Sequence, residues 1–216
     1  MDSVSGVGVL DKTVAVLRAV SGGPCTLAAL QTATGLPRAT AHRLAVALEQ
    51  HGLVRRDELG RFAPGFGLIP LGRAATEFFP LAELSRPALA DLRENTGESV
   101  QLYVREGDMR RCVVSLDSTH GLRWIVPEGV LFPLAVGSAG HLLAGEPPGV
   151  SGWLATVEER EPGVASVSAP VRDRAGILVA AVSVSGPIER ISRTPGERFG
   201  PAVVKAAVAI TQAMPT

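Results

Sequence analysis

Apolar residues recur at helical spacing through the first fifty positions and alternate along the later ones, so helices are expected first and strands after them. Asp11 can cap a helix carrying Val14, Ala15 and Leu17, which Ser21-Gly22-Gly23-Pro24 ends. Thr26 opens a short helix with Leu27, Leu30 and Ala33, closed by Gly35. Pro37 stands where a first helical residue is favoured, and the third helix runs to about His51, with Gly52 as its stop. Ala41, Leu44, Ala45 and Leu48 form its inner face; Ala39, Arg43, Val46 and Gln50 lie opposite, flanked by Arg38, Thr40 and His42. Leu53–Arg56 and Arg61–Ala63 are two short strands around the turn Asp57-Glu58-Leu59-Gly60.

Pro64, Gly65 and Gly67 break this pattern, and Leu71 to Phe79, between Pro70 and Pro80, reads as a linker helix. Leu84, Ala88, Leu89 and Leu92 then give a helical stripe that stops at Asn95-Thr96-Gly97. Strands are expected over Ser99–Arg105, Arg110–Leu116 and Leu122–Val126, and over Ser166–Arg172 and Ile177–Ser185 around the turn Asp173-Arg174-Ala175-Gly176. A final helix starts at Thr194-Pro195-Gly196-Glu197 and continues to about Met214. The expected fold is α+β: a winged helix-turn-helix over residues 1–64, a linker over 65–80, and an α/β domain over 81–216 whose sheet is mainly antiparallel.

At 216 residues the chain holds one large domain or two small ones, and 46% apolar with 19% charged residues places it among globular proteins. No apolar run is long enough to span a membrane, and Met1 to Lys12 lacks the pattern of a secretory signal, so a cytoplasmic protein is expected. Cys25 and Cys112 are too few for a disulfide scaffold or a four-ligand zinc site, so neither a metal nor a cofactor is expected.

The 21 basic and 21 acidic residues balance overall but not locally. Residues 1–64 hold seven basic and five acidic groups, and no acid occurs between Asp11 and Glu49 although four basic residues do. That window is a candidate anion-binding face. A short helix, a turn containing Gly35 and a second helix with polar groups at its start is helix-turn-helix geometry, and the strand pair after it supplies a wing. The candidate DNA contacts are Arg38, Ala39, Thr40, His42 and Arg43 for the groove, with Arg55, Arg56 and Arg61 for the backbone beside the wing. Arginine suits both tasks, because its fork matches guanine O6/N7 and phosphate oxygens alike.

The runs Thr26–Leu30, Thr34–Leu44 and Leu48–Val54 resemble the winged helix-turn-helix of IclR-family transcriptional regulators. Gly97–Leu102, Ala169–Asp173 and Ala180–Pro187 resemble the start and end of that family's effector domain. The run Arg160–Val171 looks closest to an actinobacterial, NdgR-like branch associated with amino-acid biosynthesis and antibiotic production. The resemblance implies a homodimer or dimer of dimers, double-stranded DNA with an imperfectly palindromic operator as partner, and a GAF-like C-terminal domain that takes a small-molecule effector. The chain departs from the family's usual residues at Ala135, Gly137 and Ser166, and its Gly145–Glu159 stretch looks shortened.

From the residues themselves, Val136–Leu143 reads as a small-residue turn entering a helix capped by Ser138, whose free backbone N–H groups suit a carboxylate. Gly137, Ser138 and Ala139, with Ser166, Ser168, Ser183 and Ser185 on the last strand pair, are the candidate effector contacts. Small strand residues equally serve close helix packing, and Tyr103 and Trp124 are either pocket walls or core. Cys112, His120 and Asp117 could be drawn as a nucleophile constellation, but no motif fixes their geometry, and no enzyme is expected. The readings left open are an effector-controlled regulator, a constitutive DNA-binding protein with a degenerate ligand domain and, remotely, a small-molecule enzyme.

Overall fold

In the computed structural model, residues 5–78 and 80–215 are described, and the chain divides between Phe78 and Phe79 into two units. The first residues of the Met1–Lys12 stretch, and Phe79 at the end of the expected linker helix, lie outside the described residues.

The first unit contains α1 (Gly8–Ser21), α2 (Leu27–Thr34), α3 (Arg38–Gln50), β1 (Val54–Arg56), β2 (Phe62–Pro64) and α4 (Leu68–Phe78). Thr26 caps α2 by accepting the Ala29 N–H at 3.2 Å, and Gly35 ends it in the left-handed region that glycine tolerates best. Leu36 is buried, and Pro37 stands at the cap of α3 rather than inside its first turn. α1 corrects two expectations. It begins at Gly8, so Asp11 lies a turn inside it and accepts the Ser5 N–H instead of capping. Its buried residues are Val16 and Val20, with Val14, Ala15 and Leu17 only half-buried at the flanks.

Val16, Val20, Leu30, Ala41, Ala45, Leu48, Val54 and Phe62 form one core. Each large member contributes roughly 1.5–3 kcal/mol by leaving water, and together they fix the angle between α2 and α3. The wing pairs Arg55 with Ala63 and Arg56 with Phe62. Cys25 exchanges backbone hydrogen bonds with Phe62 at 2.8 and 2.9 Å, adding a third strand position. After the wing the chain runs against the end of α3: a Cβ on Gly65 would lie 2.0 Å from the Gly52 carbonyl oxygen. The pattern-breaking glycine is therefore demanded by a backbone crossing.

The second unit contains α5 (Leu81–Thr96), β3 (Ser99–Glu106), β4 (Met109–Leu116), β5 (Leu131–Pro133), α6 (Ser138–Ala144), β6 (Leu154–Val157), β7 (Val164–Arg172), β8 (Leu178–Pro187), α7 (Ile188–Ile191) and α8 (Pro195–Ala213). Its sheet has the order β5-β4-β3-β8-β7-β6, with every neighbouring pair antiparallel. The expected α+β class is the one observed. The Asp173–Gly176 turn closes as expected, with Asp173 Oδ1 accepting the N–H groups of Ala175 and Ile177 at 2.9 Å.

Strand alternation gives this sheet two unlike faces. Val100, Leu102, Val167, Ala169, Val182 and Val184 pack with Leu89 and Leu92 of α5 and Phe199, Val203 and Ile210 of α8. The residues in the opposite phase are Ser99, Gln101 and Tyr103 on β3, Ser166 and Ser168 on β7, and Ala181, Ser183 and Ser185 on β8. A bulge at Val113, between the pairs Leu102–Val114 and Tyr103–Cys112, keeps β4 in phase with this division.

Leu122–Val126 is not a strand. Its Trp124 carbonyl accepts the Ser99 hydroxyl at 2.6 Å and Val126 is buried, so the segment packs as an irregular loop without a ladder. β5 and β6 occupy the sheet edges instead, and neither was anticipated; β6 lies within the stretch that looked shortened.

Candidate functional site

The outward face of α3 is built by the burial of Ala41, Ala45 and Leu48, which turns Arg38, Ala39, His42 and Arg43 to solvent and leaves Thr40 half-buried. Among the described residues, no acid lies within ion-pair distance of Arg38, Arg43 or Arg55. Arg55 instead stands over the Phe66 ring at 5.2 Å. The other two wing arginines are engaged internally. Arg56 donates to Glu49 at 3.3 Å and lies 4.3 Å above Phe62, while Arg61 grips Asp57 at 2.7 Å. Among the described residues the eight candidate DNA contacts thus divide into three arginines without an acidic partner, two paired ones, and Ala39, Thr40 and His42 on α3. Burial tends to raise the Asp57 carboxyl, but hydrogen bonds from the Arg61 backbone and side chain and the Leu59 N–H outweigh it and hold the group below the usual range.

In the second unit the polar sheet face and α6 enclose a cavity. Gly137, Ser138, Ala139, Ser166, Ser183 and Ser185 line it, and Ser168 lies within 2.7 Å of the Ser138 hydroxyl. The β7–β8 register opposes Ser166 to Ser185 and Ser168 to Ser183, which places the four serines together. The Ser138 Oγ also lies 2.8 Å from the Ser166 Oγ, which is 3.1 Å from the Thr156 Oγ1. Ser138 therefore does not cap α6; Gly137 occupies that position with φ at +79°, and the Ser138 hydroxyl faces the sheet instead.

Two of the N–H groups expected to be free at the start of α6 are already used. The Gly137 N–H donates to Glu159 Oε2 at 2.6 Å, and the Ser138 N–H to Thr156 Oγ1 at 3.0 Å. Glu159 Oε1 lies 2.6 Å from His141 Nε2, and the other ring nitrogen faces Glu146 at 3.2 Å. The small residues here make room for a protein side chain: a Cβ on Gly140 would sit 2.3 Å from Arg110 Nη1 and 2.4 Å from the Leu134 carbonyl oxygen.

Arg110, Tyr103, Thr156, Glu159, Arg160 and Val164 complete the cavity wall, and sequence reasoning missed the charged ones. Arg110 is only 2% exposed; its Nη1 donates to the Pro133 and Val136 carbonyls at 2.5 and 2.6 Å, and its Nε has no partner among the described residues. Its guanidinium lies over Tyr103 at 5.3 Å and Phe132 at 5.5 Å. Burial pulls it down to about 10, so it remains cationic at neutral pH. Arg160 stacks on Phe132 at 4.5 Å and Trp124 at 4.9 Å. Strand alternation did contain a signal for Arg110, because it lies in phase with the buried Cys112. Glu159 and Arg160 sit in a turn, where no periodicity operates. The free room left is about 20 Å³, enough for roughly one water.

Cys112 is buried on β4, where its thiol is pushed up to about 12 by burial and by the nearby Glu128. Asp117 pairs with Arg123 and His120 is exposed, so each member of that constellation has different surroundings. Among the described residues, no group of three or more His, Cys, Asp or Glu could hold a metal, and no helix is long and apolar enough to cross a membrane.

A family model of the IclR helix-turn-helix domain matches residues 9–58, and one of the bacterial transcriptional regulator IclR C-terminal domain matches residues 149–212. The glycerol operon regulatory protein of Streptomyces coelicolor is 28% identical over 222 residues, covering 85% of this chain and 86% of that protein. The transcriptional repressor IclR of Escherichia coli is 28% identical over 232 residues, covering 90% of this chain and 85% of its own length. An IclR homologue from Microbacterium hydrocarbonoxydans, solved with 4-hydroxybenzoate, has the same fold with a TM-score of 0.75 at 19% identity, over 95% of this chain and 98% of that one.

Proposed function

This chain belongs to the IclR family of DNA-binding transcriptional regulators, and on that footing we propose how its two units divide the work. Arg38, Thr40, His42 and Arg43, with Ala39 between them, enter the major groove, Arg55 contacts the phosphates beside it, and Arg56 and Arg61, held by Glu49 and Asp57, brace the wing. The observation that carries this reading is the exposed face of α3, whose arginines have no acid within ion-pair distance among the described residues. Counterion release then makes binding fall steeply with salt. One recognition helix covers few base pairs, so a homodimer, alone or paired as a dimer of dimers, reads two half-sites whose centres lie about 34 Å apart or a multiple of that. The operator is an imperfect palindrome.

The second unit binds a small carboxylate or amino-acid-like effector in the cavity between the polar sheet face and α6. Two guanidinium groups in the wall and a ligand-bound homologue support this. The run Arg160–Val171 favours an NdgR-like cytoplasmic regulator of amino-acid biosynthesis or secondary metabolism within the family. A second reading, constitutive DNA binding with a closed ligand domain, is favoured by the cavity's free room of about 20 Å³. Footprinting across the neighbouring promoters, with sedimentation of the complex and titration of candidate effectors, tests both. A protected palindrome whose affinity shifts with a ligand supports the first reading, a protected palindrome indifferent to every ligand supports the second, and a single half-site bound by a monomer overturns the dimeric scheme.

A further inference from the structure

One of the protein's own carboxylates lines the cavity of the second unit. Glu159 reaches from the turn between β6 and β7 to the Gly137 N–H at 2.6 Å, and its second oxygen meets His141 at 2.6 Å. The turn itself is pinned: Glu158 accepts the Gly163 N–H at 3.1 Å and pairs with Arg193 at 3.1 Å. Glu159 follows this anchor and its side chain is a third exposed, so it can rotate toward solvent while the turn stays anchored.

The wall behind it is cationic. Arg110 is 2% exposed and its Nε has no partner among the described residues, and Arg160 stands beside it over the same Phe132 ring. When Glu159 swings out, the cavity loses the one carboxylate that lines it among the described residues, while both guanidinium groups remain. A neutral ligand would leave that charge uncompensated in a largely buried site, whereas a monoanion restores the balance.

We infer that Glu159 is a built-in competitor for the effector: its carboxylate occupies the place that the carboxylate of a small monocarboxylate takes, and the ligand binds by displacing it. This rests on the ligand reading above and adds the group that sets the ligand's apparent affinity. The affinity observed for the chain is the intrinsic affinity multiplied by the fraction of molecules in which Glu159 has already left. Selectivity follows from the same contest, since only an anion can repay the lost contact.

Isothermal titration of the full chain with acetate, benzoate, benzamide and leucine tests this in the wild type, Glu159→Ala and Glu159→Gln. The expected result is benzoate or acetate binding at least tenfold tighter in Glu159→Ala, several-fold tighter in Glu159→Gln, and no gain for benzamide. The Gly137 amide resonance should move when the wild type is saturated with the same carboxylate. Equal or weaker carboxylate binding in both variants, or no binding by any of the three proteins, overturns the inference. So does leucine binding that is lost in Glu159→Ala, which would make Glu159 a receptor for an ammonium group. Should Glu159→Ala fail to fold, Glu159→Gln decides the matter in the same titration. Ligand-free operator binding is read separately: its absence would sink the regulatory scheme and leave the competition result standing.

Discussion

Arg190 grips Glu98 with two parallel hydrogen bonds, Nε to Oε1 at 2.7 Å and Nη2 to Oε2 at 2.8 Å. The two ends of the pair differ sharply in exposure, because the Glu98 side chain is 3% exposed and that of Arg190 26%. Gly186 presses on the same carboxylate, where an added Cβ would lie 2.6 Å from Oε2. Removing the arginine strands a buried carboxylate, whereas removing the carboxylate leaves a guanidinium that reaches water. Arg190→Met should therefore cost about 3 kcal/mol in urea unfolding and Glu98→Gln about half of that or less. Equal losses would mean that the pair is not asymmetrically solvated.

On DNA the arginines should sort by their partners. Arg43→Ala, which removes an unpaired cation from α3, should cost on the order of 1–3 kcal/mol of operator affinity and relax base preference if it reads a base. Arg61→Ala should instead act through the wing, since Arg61 ties down Asp57 and the turn it closes. The expected signature is a smaller change in the salt slope than for Arg43→Ala or Arg55→Ala, with loss of order in the wing amides. Indistinguishable salt slopes across the three variants would put Arg61 on the phosphates directly.

Alkali should weaken the second unit through two buried acids. Burial pushes Cys112 and Tyr103 each up to about 12, against about 8.5 and 10 in an unfolded chain. The folded state keeps these protons while the unfolded state releases them, so the stability they contribute is complete below about pH 8.5 and drains away towards pH 12. The loss should reach on the order of 3 kcal/mol by pH 11. Urea midpoints at pH 7.5 and 10.5 measure it, and Cys112→Ala should flatten the slope. In the native protein at pH 8, iodoacetamide should leave Cys112 unmodified.

Trp153 lies on the bare backbone of α8. A Cβ on Gly196 would stand 1.9 Å from its ring and one on Gly200 2.4 Å from its indole nitrogen. Gly196→Ala must push the ring away, at a cost of roughly 1–3 kcal/mol for overpacking. With Trp124→Phe as background, the remaining tryptophan emission should shift to the red. An unchanged spectrum and midpoint would show that the helix moves instead.

Local chemistry was legible in the sequence wherever a residue acts on its immediate neighbours. Thr26 at the start of α2, Gly35 at its end and the Asp173–Gly176 turn all do so, and the inner face of α3 follows from spacing alone. The serines of β7 and β8 could be named as one surface because hairpin register follows from the turn. Tertiary contacts were not legible. Leu122–Val126 has the composition of a strand, but β5 takes the edge of β4 and the segment crosses as a loop. Ser138 has the chemistry of a cap, yet Ser166 and Ser168 compete for its hydroxyl from the sheet. Glu159 meets Gly137 from 22 residues away, a distance over which no local pattern carries information.

The linked hydroxyls of Ser138, Ser166, Ser168 and Thr156 have one further consequence. Each is at once a donor and an acceptor and turns freely about its C–O bond. The chain of four can reverse the direction of all its hydrogen bonds without moving a heavy atom. Such a wall offers a proton or a lone pair with equal ease, so it is chemically bilingual and rejects few polar molecules of the right size. On the proposed effector reading, discrimination falls to Arg110, Glu159 and Arg160, and new effector preferences would arise by exchanging those while the serines stay as they are.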